Sequence, residues 1–370
     1  MLSAAALTAA AAAVILVTAG DFRRMHGDDT VIPGPGMTRQ TRLSRYFEGL
    51  KGTPGDTDVY VFEGRRPGGS LLVLGGTHPN EPAGFITAVV LVENMSVEQG
   101  RVFVIPQANR SGFTHNDPQE AWPQSFAVRT AGGFRRFRFG SRLTNPVHQW
   151  PAPTLHVNPA GQKLAGMESR NLNRAYPGRA DGSLTEKTAF AVMNLLRRER
   201  IDLALDLHEA APEYPVINAI VFHDNSAELA ATALMKLELE GLDFRLEASP
   251  PNLRGLSHRE WGDHSPARAL LLETANVSQG RLRGKTSARL VVEGRDPNYR
   301  RADRRGLLFV PYGEEGIPLR LRVSRHLAAV RAILAAWDEL EPQRPVGVNG
   351  LPAAADVARD GPGAFLHPPK

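Results

Sequence analysis

An α/β fold, with a mostly parallel sheet covered by helices on both faces, is what the sequence predicts. Three observations carry that expectation. Short apolar runs alternate with segments of helical periodicity along the chain. The runs close on glycine, proline or polar residues, as strands that reach a turn do. His78, Arg110, His208 and Glu273 all fall at or just after the ends of predicted strands, where sheets of this kind gather functional groups.

In chain order, Ser70 to Leu74 reads as a buried strand closed by Gly75-Gly76, and Ala83 to Met95 as the helix that follows. Arg101 to Ile105 is apolar and β-branched and stops at Pro106. Ser183-Leu-Thr-Glu186 is a capping box, and Phe190, Met193, Leu195 and Leu196 form the apolar face of the helix it opens. Ile201 to Leu207 and Ala269 to Leu272 are two more strands, and Leu319 to Leu340 is an amphipathic helix that docks on the sheet. Residues 111–169 break the alternation; they are rich in Pro, Gly, Trp and Phe and include Phe134-Arg-Arg-Phe-Arg-Phe139. Such an insertion is either a lid or substrate wall, or a surface excursion packed by its own aromatics.

Composition narrows the class. A chain of 370 residues, 42% hydrophobic, can bury a large core. Its net charge of +5 and pI near 9.7 suit an acidic substrate or anionic surface. No basic-aromatic stripe points to nucleic acid. Zero cysteines exclude disulfides, thiolate metal sites and cysteine nucleophiles. Leu2 to Gly20 is an uncharged, Ala-rich apolar run followed by Asp21, Arg23 and Arg24. Its length is close to the ~20 residues a bilayer needs, and it reads as a signal peptide or membrane anchor. An exported or membrane-tethered protein is therefore expected, in preference to a cytoplasmic one.

Four separated stretches carry chemistry: His78-Pro-Asn-Glu81, Asn171-Leu-Asn-Arg174, Asp206-Leu-His208 and Leu271-Leu-Glu273. His-x-x-Glu alone is as easily a turn histidine beside a helix-start glutamate. Set beside His208, it supplies two imidazoles and a carboxylate for one Zn²⁺, with a fourth position left for water, as in catalytic zinc sites. Asp206 and His208 share one side of their strand. Glu273 ends an apolar run, where a carboxylate can serve as general base and then general acid. Of Arg110 and Arg174, one can polarise a scissile carbonyl while the other, with Asn173, clamps a substrate carboxylate. Either arginine alone could equally be a surface ion pair.

From Gly75-Gly-Thr-His78-Pro-Asn-Glu81 through Asn171-Leu-Asn-Arg174-Ala-Tyr-Pro-Gly178 and Asp206-Leu-His208 to Glu273, the chain resembles the succinylglutamate desuccinylase/aspartoacylase family, relatives of zinc carboxypeptidases. The resemblance spans residues 59–276. It implies a carboxypeptidase-like three-layer α/β/α fold with a mixed, mostly parallel sheet of about eight strands. It also implies one Zn²⁺ on His78, Glu81 and His208, Glu273 as proton shuttle, Arg110 on the carbonyl, and Asn173 with Arg174 on the substrate carboxylate. Asn171 departs from the family's Asp and offers an uncharged acceptor to a ligating histidine, so weaker metal support is expected.

The expectation is thus a zinc-dependent deacylase of N-acyl amino acids or related small carboxylate-bearing amides. A metallocarboxypeptidase acting on short peptides, cell-wall peptides among them, is the alternative enzyme, and an inactive metal- or ligand-binding descendant the alternative without catalysis. Along the chain, 1–20 is the signal or anchor and 21–55 a linker and extended segment. Residues 56–341 form the hydrolase domain with its 111–169 insertion, and 342–370 a loose tail.

Overall fold

The computed structural model describes residues 2–116, 123–158 and 161–368. An N-terminal helix, α1 (Leu2–His26), precedes β1 (Arg39–Arg42), β2 (Asp58–Glu63) and β3 (Arg66–Leu74). Next come α2 (Pro82–Asn94), β4 (Ser96–Ile105), a hairpin of β5 (Ser125–Thr130) and β6 (Gly133–Arg138), and the short pair β7 (Leu155–Val157) and β8 (Lys163–Ala165). The second half contains α3 (Leu184–Arg198), β9 (Leu203–Ala210), β10 (Ala219–Phe222), α4 (Ala227–Leu239), β11 (Arg245–Ala248), α5 (Ser257–His264) and β12 (Arg268–Ala275). It closes with α6 (Ala288–Glu293), α7 (Pro297–Asp303), α8 (Leu319–Leu340), β13 (Gly347–Asn349) and α9 (Ala354–Asp360).

One mixed sheet orders eight strands β1-β2-β4-β3-β9-β12-β10-β11, and β13 pairs with β4 as a ninth. Its centre, β4-β3-β9-β12, is parallel, and antiparallel pairings flank it. Because side chains alternate across each strand, the sheet feeds two cores. Leu71, Val73, Leu205, Leu207 and Leu272 pack with α2, α4 and α8 on one face. Leu72, Leu74, Ala204 and Ala269 pack with α3 and with Trp261 of α5 on the other. The result is a three-layer α/β/α arrangement, as the sequence predicts.

The path of the chain creates the site. From β3 it runs through α2 to β4 on one side, then returns through α3 to β9 on the other side of β3. The carboxyl ends of β3 and β9 thus flank a reversal of strand order, where ligands bind in open α/β sheets. Gly84 lets α2 sit close to β9, since a Cβ there would lie 2.3 Å from the Leu207 carbonyl oxygen. Gly76, at φ +68°, turns the chain out of β3 towards His78. Ser183 and Glu186 form both bonds of the expected capping box, and α8 has the expected limits.

Three expectations need correction. Residues 27–55 are not a linker: β1 pairs with β2, and Leu43, Tyr46 and Leu50 are buried in the α3-side core. The glycines of the 33–36 cluster serve close packing, Gly34 lying against the Glu93 carbonyl. The tail is not loose either. Described up to residue 368, it adds β13 to the sheet and buries Val346, Val357 and Leu366 in the main core. Finally, α1 runs past Gly20 to His26, exposing Leu7, Val14, Ile15, Leu16 and Val17 and burying Met25.

The insertion, apart from residues 117–122 and 159–160, which lie outside the described residues, is a hairpin with irregular flanks. Phe126, Phe137 and Phe139 do not merely pack on one another. They join Phe85 of α2 and Phe113 in the main core. Arg135 meets Glu93 at 2.7 Å, both buried, so the two charges satisfy each other.

Candidate metal centre and cleft

His78 lies on the loop after β3, Glu81 at the entrance to α2, and His208 near the end of β9. One ligating atom from each lies within 4.8 Å of the other two, and all three side chains are buried. His78 Nδ1 is 2.7 Å from Glu81 Oε1, and His208 Nδ1 is 2.9 Å from Glu81 Oε2. The two Nδ1 atoms are 3.2 Å apart.

Each ring nitrogen of the two histidines has a neighbour that can orient it. The Asn171 amide donates through Nδ2 to Glu168 at 2.8 Å, which turns its Oδ1 towards His78 Nε2, 2.9 Å away. An amide oxygen only accepts, so His78 can keep a hydrogen on Nε2 and would offer Nδ1, now 2.7 Å from Glu81, to a bound cation. His208 Nε2 lies 2.9 Å from Asp206 Oδ2, a contact whose alignment falls short of a hydrogen bond. Thr77 Oγ1 donates to the other Asp206 oxygen at 2.8 Å. With Asp206 beside Nε2 and Glu81 beside Nδ1, His208 would keep a hydrogen on Nε2 and offer Nδ1 to a bound cation. Two imidazole Nδ1 atoms and a carboxylate therefore face one point, a donor set that fits a divalent cation such as Zn²⁺.

The charges agree. Burial opposes a charge on His208, but the Asp206 and Glu81 carboxylates outweigh it and hold the ring well above the usual histidine range. Burial, then the Arg142 guanidinium, pushes His78 down to about 4. Burial works against ionising Glu81 too, yet the two imidazoles keep it well below the ordinary carboxyl range.

The centre opens into a cleft of about 320 Å³, lined by His78, Glu81, His208, Arg142, Asn173, Arg174 and Glu273 among others. Glu273 pairs in register with His208 across β12 and β9, so it sits one strand from the ligand and on the same face. Burial pushes its carboxyl up to about 8; the nearby Glu81 and Asp206 charges reinforce this, while His208 and Arg142 oppose it. One of its oxygens is buried without a partner. Asn173 is held by its side-chain oxygen, which accepts from the Ser257 amide at 2.8 Å. Arg174 donates to its neighbour's carbonyl at 2.7 Å; burial and then Arg142 pull its proton affinity down. Two adjacent guanidiniums make this end of the cleft a receptor for anionic oxygen.

Arg110 is the expected site residue that the structure does not bring here. Its guanidinium makes two bonds to Asp28, at 2.9 and 2.8 Å, and it does not line the cleft. A carboxylate just after α1 thus engages the fork that was expected to face a carbonyl. Arg142, from the insertion, lies in the cleft instead, 3.4 Å from Glu81. Sequence reasoning also missed His258, buried, with an unpartnered Nδ1, and Glu209, which points to the opposite face and binds Arg322 at 2.6 Å. The alternation that placed Asp206 with His208 already put Glu209 on the other side.

No family model matches the chain. It is 27% identical over 161 residues to the N-alpha-acetyl-L-2,4-diaminobutyric acid deacetylase of Halomonas elongata, a match covering 43% of this chain and 34% of that protein. The match thus spans about a third of that curated relative's length. Among solved structures, a succinylglutamate desuccinylase/aspartoacylase from Rhodobacter sphaeroides is 18% identical, with 59% of this chain and 51% of that chain covered and a TM-score of 0.34. A metallo-carboxypeptidase from Burkholderia cenocepacia is 12% identical, with 87% and 69% covered and a TM-score of 0.48.

Proposed function

We propose that this protein is a zinc-dependent hydrolase that cleaves the amide bond of an N-acyl amino acid or a related small carboxylate-bearing amide. The observation that carries this reading is the convergence of two imidazole nitrogens and a carboxylate on one point, in a cleft shared with Glu273 and two arginines. A zinc ion held by His78, Glu81 and His208 supplies Lewis acidity towards the carbonyl and towards water. Glu273 takes a proton from the attacking water as the new C–O bond forms, and returns it to the amine nitrogen as the C–N bond breaks. Its raised proton affinity suits the second half of that cycle, because a carboxyl that keeps a proton near neutrality can donate one. Arg142 donates to the carbonyl oxygen while charge develops there, and Asn173 with Arg174 holds the substrate carboxylate.

A metallocarboxypeptidase is the second reading, because the same clamp fits the terminal carboxylate of a peptide. The exposed apolar helix α1, whose segment Ser3–His26 is long enough to cross a bilayer, is read as an export signal or membrane tether; fractionation of the full chain between membrane and soluble pools tests this.

The function is tested with Glu273→Gln and His78→Ala. Glu273→Gln is expected to keep wild-type zinc content and lose turnover of N-acyl amino acids or short peptides by about 10²- to 10⁴-fold. His78→Ala loses the metal itself. Full activity in Glu273→Gln rejects the mechanism, and a panel of N-acyl amino acids set against short peptides separates deacylase from carboxypeptidase.

A further inference from the structure

The far end of the cleft carries a charge opposite to that of its two arginines. Glu247 of β11 pairs in register with Val221 of β10, and Val221 with Leu271 of β12. All three line the cleft, so they form one row across its floor: a carboxylate, then two aliphatic side chains. The Glu247 residue is half-buried and, among the described residues, its carboxylate has neither a hydrogen bond nor an ion pair. The other carboxylates here are engaged or oriented towards the metal centre: Glu81 contacts both imidazoles, Glu209 binds Arg322, and Glu273 adjoins His208. Glu247 lies two strands across and two residues back from Glu273, which places their Cα atoms about 12 Å apart. Arg174 feels the charge of Glu273 and shares the cleft with this row, so an amino acid with its α-carboxylate on Asn173 and Arg174 can run its side chain over Leu271 and Val221 towards Glu247.

We propose that Glu247 selects substrates whose amino-acid portion carries a cationic side chain, an aliphatic linker ending in an ammonium group. An acidic side chain in the same position would set two carboxylates against each other over the apolar floor, which the geometry disfavours. This rests on the cleft's binding an amino acid by its α-carboxylate, and it holds for deacylase and carboxypeptidase alike, since both release that amino acid as product.

The test is calorimetric binding of L-ornithine, L-norvaline and L-glutamate to the zinc-loaded full-length protein, and to its Glu247→Gln and Glu247→Lys variants. Ornithine is expected to bind about tenfold more tightly than norvaline, and glutamate more weakly than both. Glu247→Gln should abolish the ornithine preference while leaving norvaline unchanged, and Glu247→Lys should favour glutamate. Equal binding of ornithine and norvaline, or a preference that survives Glu247→Gln, overturns the assignment of Glu247 alone. Failure of all three amino acids to bind overturns both this assignment and the proposed clamp.

Discussion

His78 and His208 present the same atom to the same carboxylate, but different neighbours support them. Behind His208 stands the charged Asp206, anchored by Thr77; behind His78 stands the neutral amide of Asn171. Their proton affinities diverge: the Asp206 and Glu81 carboxylates overcome burial and hold His208 above the usual range, whereas burial and then Arg142 push His78 down to about 4. An anion behind a ring raises its basicity and its strength as a ligand, whereas an amide oxygen orients the ring without adding charge. His78 is thus the weaker arm of the centre, steered into place more than it is electrostatically reinforced.

Breaking the comparison begins with the largest effect. Arg142→Met should lower kcat/KM by about 10²- to 10³-fold if Arg142 serves the carbonyl oxygen, whereas Arg110→Met should leave kcat/KM near wild type. Equal losses in the two variants would return Arg110 to the site. Next, Asp206→Asn should weaken zinc affinity by about 10- to 100-fold by giving His208 the kind of support His78 already has. Asn171→Asp is the converse: it supplies the missing charge and should tighten zinc, measured by competition with a chelating dye. If neither change moves the affinity, the asymmetry between the two rings has no consequence.

The smallest effect concerns a histidine that serves as a control for the pair. His326 of α8 is fully buried, and burial pushes it down to about 3, with His208 adding to the effect. The unfolded chain, with a histidine near 6.5, binds more protons than the folded one between pH 6.5 and about 3. Stability from this group is therefore complete above pH 6.5 and is lost as the pH falls, by about 1.4 kcal/mol per pH unit. His326→Gln should flatten that slope in denaturant titrations of the metal-free protein; an unchanged slope refutes the assignment.

Much of the cluster of His78, Glu81 and His208, with Glu273 beside it, was legible in the sequence because its residues occupy regular places. His78 follows the glycine pair that ends β3, Asp206 and His208 alternate on β9, and Glu273 closes the run of β12. The fold's centre was legible for the same reason: long apolar strands and the capping box of α3 report their own periodicity. Arg142 was not, since its position depends on how the insertion packs against α2, and an irregular segment has no period from which to infer contacts. The hairpin itself left a signal, the alternation of Phe126, Val128 and Thr130 before Ala131-Gly132, which marks a strand and a two-residue turn. The tail left almost none, because Val346, Val357 and Leu366 reach the core from three short elements. The strand bearing Glu247, Arg245-Leu-Glu-Ala248, is only four residues long and half polar, too short for its alternation to distinguish it from a loop.

The central claim is that His78, Glu81 and His208 hold one zinc ion between them. Elemental analysis of the protein, purified and dialysed against zinc-containing and then metal-free buffer, tests it most directly. The account predicts one zinc per chain in the wild type and in Glu273→Gln, and close to none in His78→Ala or His208→Ala. Full zinc content in both histidine variants would contradict it.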